Sequence, residues 1–260
     1  MTDLEHEYSP SSRVGGDSGP FVAGYTARSA AARHALGDRV RRLEGGSLLV
    51  EAGADAPVLV FVHGGYWQAL SAEASLYLAP AAVSLGWSYA AVEYTLAPAA
   101  DLPTMVQECA SALAAIAAAA GDVPMVVAGH SAGAHLTAMI TQVLRPPVAV
   151  ARSVLVSGVY DLRPLVHTSV NDPLGLDLTT AEAVSPMLLP LTNRPETTVV
   201  WGDNETDAFK AQGTTYAARL RAAGVDVSAF ECAGRHHFDI VDDLVDPATE
   251  LGALTLGGLR

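Results

Sequence analysis

Pro124-Met125-Val126-Val127-Ala128 leads directly into Gly129-His130-Ser131-Ala132-Gly133, and Ala134 to Leu144 then carries Ala, Leu, Met and Ile at helical spacing. A β-prone run, a Gly-x-Ser-x-Gly turn and a helix form the context that presents a turn serine as a nucleophile. Such a turn is strained, and Gly129 and Gly133 let neighbouring backbone pass close to Ser131. The helix that follows points the positive end of its dipole at the serine. The five-residue motif alone also fits an ordinary strand-to-helix turn, so partners elsewhere in the chain must decide.

Upstream, Val58 to Val62 is a continuous apolar run, as expected of a strand buried on both faces of a parallel sheet. It ends in His63-Gly64-Gly65-Tyr66-Trp67-Gln68. Between this loop and the serine motif we expect a helix over 72–85, a strand over 87–92 and a helix over 102–119. Downstream we expect strands at 153–156, 197–201 and 225–230, a helix over 208–223 and a last helix opening at Phe238. The strand–helix alternation predicts a mostly parallel central sheet with helices on both faces, in a single domain over residues 1–260. Residues 1–20 are expected to hold little regular structure, Phe21 to Glu44 an arginine-rich helix, 47–51 a short strand, and 252–260 a frayed tail. The irregular stretch 157–185 and the N-terminal segment 1–50 are candidates to cover a site.

Composition narrows the function. The 260 residues are half hydrophobic, enough for one well-buried α/β core. A net charge of −13 argues against nucleic acid or an anionic membrane as partner. Cys109 and Cys232 form no disulfide or zinc pattern, and the histidines lack metal-ligand spacing, so no metal is expected. Met1 to Pro10 has no apolar signal core, and the run Ala110 to Ala120 is shorter than the roughly 20 residues that span a bilayer, so a cytoplasmic location is expected.

A nucleophilic serine needs a base and an acid that orients it. In a sheet of this kind they follow later strands, acid before base. After strand 197–201 the sequence Gly202-Asp203-Asn204-Glu205-Thr206-Asp207 offers three carboxylates. A turn of this kind commonly places the acid three residues after its glycine, which favours Glu205 over Asp203 and Asp207. After strand 225–230, His236 and His237 compete for the base, and His237 is favoured because it abuts the last helix. The transition-state oxyanion needs aimed donors, and the backbone N–H groups of Gly64, Gly65 and Ala132 are the candidates. Tyr66 and Trp67 project beside that loop and either flank a planar substrate or, in the case of Trp67, join the core. The other histidines read as structural, with His63 bracing the glycine loop and His130 packing near the serine.

The loop His63-Gly64-Gly65-Tyr66-Trp67-Gln68 resembles the signature loop of kynurenine formamidases (arylformamidases), α/β-hydrolases related to the hormone-sensitive-lipase-like esterases. Tyr66 stands where those esterases usually carry a third glycine. Four further stretches are similar to the family's: Gly129 to Leu136, Ser157-Gly158-Val159-Tyr160-Asp161-Leu162, Phe209-Lys210-Ala211-Gln212 and His237-Phe238. Counting back from Phe209 by the family's spacing also reaches Glu205. The chain departs from the family pattern in having Glu where Asp is common, and Gly213 where a polar residue often follows the glutamine.

The resemblance spans roughly residues 58–244 and implies an α/β-hydrolase fold and hydrolysis of N-formylkynurenine or a similar aryl formamide, with no cofactor. It implies Ser131 as nucleophile, His237 as base and Glu205 as acid. A carboxylesterase with the same machinery is the alternative. A small-molecule substrate is the expected partner, with no nucleic acid and no membrane; a homodimer is left open as the assembly. The substrate's carboxylate tail is expected to meet a cation or N–H donors, with the arginine-rich helix as a candidate source.

Overall fold

A computed structural model describes residues 3–144 and 148–259. Eight strands form one sheet: β1 (Val40–Arg42), β2 (Leu48–Val50), β3 (Val58–Val62), β4 (Ser88–Val92), β5 (Met125–His130), β6 (Arg152–Val156), β7 (Glu196–Asn204) and β8 (Val227–His236). Their spatial order is β1-β2-β4-β3-β5-β6-β7-β8. β2 runs antiparallel to both β1 and β4, and the pairs from β4 across to β8 are parallel.

The apolar runs of β3 and β5 are explained by cover on both faces. Val58, Val60 and Val62 join one core with α4 (Leu102–Ala120) and α5 (Ala132–Ala138). Leu59 and Phe61 point the other way, into a second core with α2 (Gly19–Leu36), α3 (Ala79–Ser84) and α8 (Glu250–Leu256). A third core sits between β6, β7 and α7 (Asp207–Ala222). Among the described residues α4 alone is long and apolar enough to cross a membrane, more so than the run 110–120 implied. It lies against the sheet and buries Leu102, Met105, Val106, Cys109, Ala112, Leu113 and Ile116.

Several boundaries differ from the sequence reading. The arginine-rich segment is not one helix to residue 44. Gly37, at φ 53°, ends α2, and Val40 turns inward against Val50 as β1 begins. Arg41 and Arg42 therefore sit on an edge strand. The expected helix over 72–85 is a 3-10 segment, Glu73–Leu78, followed by the short α3. The serine helix changes after Ala138 to a wider π turn over Met139–Val143. Residues 157–185 include α6 (Leu178–Ala183), capped by Asp177. The expected last helix at Phe238 is 3-10 only, over Ile240–Val245, and the expected frayed tail holds α8, capped by Thr249. Arg260 at its end, like Met1 and Thr2, lies outside the described residues. Residues 1–20 contain α1 (Leu4–Glu7) and a 3-10 turn, Pro10–Arg13.

Gly213 has a packing reason. A Cβ there would lie 2.5 Å from the Trp201 ring, so the missing side chain lets α7 settle on β7. Gly213→Ala gains about 1 kcal/mol of helix propensity but overpacks the contact at about 1–3 kcal/mol. We expect a lower urea midpoint for this variant; a raised midpoint would contradict the packing account.

Candidate active site

The candidate residues come from the carboxyl ends of β3, β5, β7 and β8, where open parallel sheets place their sites. Ser131 follows β5 with φ 56° and ψ −121°, a conformation that costs a non-glycine residue about 1–3 kcal/mol. Its neighbours hold it there. Its N–H donates to the Val156 carbonyl at 2.8 Å, and its own carbonyl accepts from Ala134 N–H at 2.9 Å. A Cβ on Gly133 would lie 2.0 Å from the Val62 carbonyl oxygen, and one on Gly129 would lie 2.2 Å from that of Gly133. The turn is thus pressed onto the end of β3, which carries the glycine loop. A Cβ on Gly64 would sit 3.0 Å from Ser131 Cβ, which puts the loop backbone beside the serine. Gly65, at φ 93°, leaves no room for a side chain against Ala69. Ala132 opens α5, so its N–H belongs to the first turn of that helix.

Of the three carboxylates after β7, the structure brings Glu205 to the histidine. His237 Nδ1–H donates to Glu205 Oε2 at 2.9 Å. The other carboxylate oxygen accepts from Gly202 N–H at 2.7 Å and from the Ser157 hydroxyl at 2.5 Å. Burial pushes the Glu205 carboxyl up, but the His237 ring and these two further donors outweigh it and hold it below the ordinary glutamate value. Asp203 instead accepts from the Gly234 N–H within β8 at 2.8 Å, and Asp207 starts α7. His236 turns away, stacked edge-on against Phe21 with its Nδ1 accepting from Phe238 N–H.

Ser157 was not found by the sequence reading. It has φ 52° and repeats the Ser131 arrangement one strand over, its N–H donating to the Val200 carbonyl at 2.8 Å. Its only sequence signal was its place at the head of the Ser157–Leu162 motif.

The remaining buried histidines are neutral supports. Burial lowers His63 to about 4, and its Nδ1–H braces the Gly64 carbonyl at 3.0 Å. His130 is lowered to about 3 by burial and by the nearby His237, and its Nε2–H donates to the His237 carbonyl at 2.7 Å. His135, lowered by burial to about 4, holds the Val184 carbonyl.

Ser131 and His237 line a cavity of about 470 Å³, and Gly65 and Tyr66 lie on its wall. Tyr66 is tied down, its hydroxyl donating to the Tyr8 carbonyl at 2.5 Å. Trp67 does not reach the cavity. It is fully buried with its ring edge against His135, so the core reading of this residue holds and the substrate-flanking one does not. Much of the opposite wall comes from the N-terminal segment, including Glu5, Tyr8 and Ser11, while stretch 157–185 adds Ser169 and Val170. The segment is fastened by Glu7, whose carboxylate accepts from Ala208 N–H and whose carbonyl accepts from the Thr206 hydroxyl, and by Gln212, which donates to the Tyr8 hydroxyl.

The arginines around α2 are not at this cavity. Arg28 pairs with Asp242 at 2.8 Å and Arg42 with Glu73 at 2.5 Å. The expectation that they meet the substrate tail is therefore corrected.

A family model for the alpha/beta hydrolase fold matches residues 59–239. The chain is similar to kynurenine formamidase of Danio rerio, 34% identical over 203 residues that span 74% of this chain and 69% of that one. It is also similar to esterase LipQ of Mycobacterium tuberculosis, at 29% identity over 72% of this chain and 52% of LipQ. Among solved structures, a Silicibacter sp. TM1040 protein provisionally assigned as a thioesterase superposes with a TM-score of 0.86, at 30% identity over 98% of this chain and 99% of that one.

Two outcomes follow from the Glu205 geometry. Glu205→Gln should lower kcat/KM by about 10³–10⁴-fold, since only the acid bonded to the base fixes its tautomer. Asp203→Asn and Asp207→Asn should cost far less, and a reversed ranking would displace Glu205. The second concerns stability. The folded-state value of Glu205 is depressed, so its contribution is fully present above the unfolded carboxyl value of about 4.3 and is lost as pH falls through the lower folded value. Urea unfolding of wild type against Glu205→Gln should show wild type the more stable near neutrality and a gap that narrows as the pH falls into the acid range.

Proposed function

The chain belongs to the alpha/beta-hydrolase family, in kinship with the kynurenine formamidases, and from this we propose that it is a serine hydrolase cleaving aryl formamides such as N-formylkynurenine to formate and the free arylamine. The observation that carries the reading is the buried His237–Glu205 pair, whose histidine lines the same cavity as Ser131. Its Nδ1–H bond to the carboxylate leaves Nε2 as the free base nitrogen.

In this reading Ser131 Oγ attacks the formyl carbon as His237 Nε2 takes its proton. The Gly64, Gly65 and Ala132 N–H groups receive the charge that develops on the formyl oxygen. An anilide nitrogen leaves poorly until it is protonated, so His237 returns the proton to it as the C–N bond breaks. Water, deprotonated by the same ring, then attacks the formyl ester on Ser131; formate leaves and the serine recovers its proton. Glu205 stabilises the imidazolium in both halves.

Similarity to LipQ favours a second reading, a carboxylesterase for small acyl or aryl esters. The two separate on direct turnover. We expect N-formylkynurenine to exceed its N-acetyl and longer acyl analogues in kcat/KM, because a pocket fitted to a formyl hydrogen penalises bulk. Efficient hydrolysis of p-nitrophenyl butyrate with no detectable formamide turnover would leave the esterase standing. In either case Ser131→Ala should lower kcat by about 10⁴–10⁶-fold with an unchanged circular dichroism spectrum. A serine-directed phosphonate should label wild type and not this variant.

A further inference from the structure

The cavity has a charge character that its chemistry does not require. Its described lining is rich in hydroxyls, among them Tyr8, Ser9, Ser11, Ser18 and Tyr25, and it includes no Lys or Arg. The one carboxylate on the wall is Glu5. Glu5 is fixed rather than free: Ser169 N–H donates to it at 2.8 Å, and the Ser169 hydroxyl donates to its other oxygen. These donors do not neutralise it, and Glu5 has no ion-pair partner among the described residues. The nearby part of the chain that carries it is itself anchored, through Glu7 and Tyr8, to α7 and Tyr66. A net charge of −13 over the whole chain adds a field of the same sign.

We propose that Glu5 is the charge-selecting residue of this cavity and binds an ammonium group on the tail of the aromatic substrate. This rests on the formamidase reading for the bond that is cut, though not for the sign of the charge preferred. A carboxylate on the tail meets like charge at Glu5 with no cation on the lining to offset it, so selection works by repulsion as well as attraction. In N-formylkynurenine the ammonium engages Glu5, and the carboxylate is left to the hydroxyls or to solvent.

Four aryl formamides test the proposal on the full chain: N-formylkynurenine, its decarboxylated counterpart (ammonium only), its deaminated counterpart (carboxylate only) and neutral 2-formamidoacetophenone. We expect kcat/KM to rank ammonium-only above neutral above carboxylate-only, with N-formylkynurenine between the extremes. The ammonium-to-carboxylate ratio should be about tenfold at low salt and shrink in 0.5 M NaCl, as for a solvent-accessible pair. Glu5→Gln should collapse that ratio, mainly through KM. Ser169→Ala, which keeps the charge but removes a hydroxyl that holds it, should keep the ammonium form ahead. A proportional loss on all four substrates in Glu5→Gln would make Glu5 a structural residue and overturn the proposal, as would a preference for the carboxylate form. If no formamide is turned over, the formamidase reading falls by itself. The same ratio is then read on phenyl acetates bearing an aminoethyl or a carboxyethyl ring substituent, and its absence there overturns the charge assignment.

Discussion

A carboxylate placed almost out of reach of water, Glu205 at 3% exposure, is the constraint on which the end of the sheet depends. An ionised group in that position is tolerable only if its lone pairs are met by good donors. Meeting them takes three different parts of the chain: the Gly202 N–H, the Ser157 hydroxyl and the His237 ring. Gly202 can come close because it has no side chain; a Cβ there would lie 2.4 Å from the Arg235 carbonyl oxygen. The carboxylate therefore ties the ends of β6, β7 and β8 together, and the histidine inherits its orientation from that tie. His130 adds a second hold on the same residue, gripping the His237 backbone from the serine turn.

Strain is concentrated at the same edge. Ser131 and Ser157 both sit at positive φ just beyond a strand, and in both the N–H still completes a bond to the next strand. The ladder thus continues one residue past the point where the direction of the chain breaks. That is how the sheet over-determines a conformation the residues would not choose alone. The close glycine contacts at 129 and 133 serve the same end, since a side chain at 133 would push the serine turn off the end of β3 and one at 129 would push α5 off β5.

How much of this was legible depends on how local each determinant is. The run Val58–Val62 and the turn at Ser131 are local patterns, and their elements lie where the spacing put them. Counting three residues from Gly202 led to the carboxylate that touches His237, because the length of a turn fixes which side chain points back. Val40–Arg42 was hidden because a three-residue edge strand carries one buried side chain, too few for a period. α8 was hidden by Gly252 within it and by Gly257 and Gly258 after it, although Gly252 packs where a Cβ would meet the Asp246 carbonyl at 1.9 Å. The part played by Ser157, the choice between the two readings of Trp67, and which residues of the N-terminal segment form the wall were not legible for a different reason. Their roles are set by contacts across long stretches of sequence, as in Tyr66 to Tyr8 and Gln212 to Tyr8.

The division between sheet and wall carries a consequence for how such a chain can change its substrate. Ser131, Glu205 and His237 are fixed by strand ends, buried hydrogen bonds and glycine contacts, where few substitutions are tolerated. The facing wall is a short N-terminal segment held by a handful of hydrogen bonds to α7, Tyr66 and Ser169. A substitution in that segment changes the lining of the cavity at residues that make no hydrogen bond to the carboxylate that orders the sheet edge. The chain's relatives include one named a formamidase and one named an esterase, and a fold in which the strand-end residues and the facing wall are built from separate parts of the chain lets one vary while the other is kept.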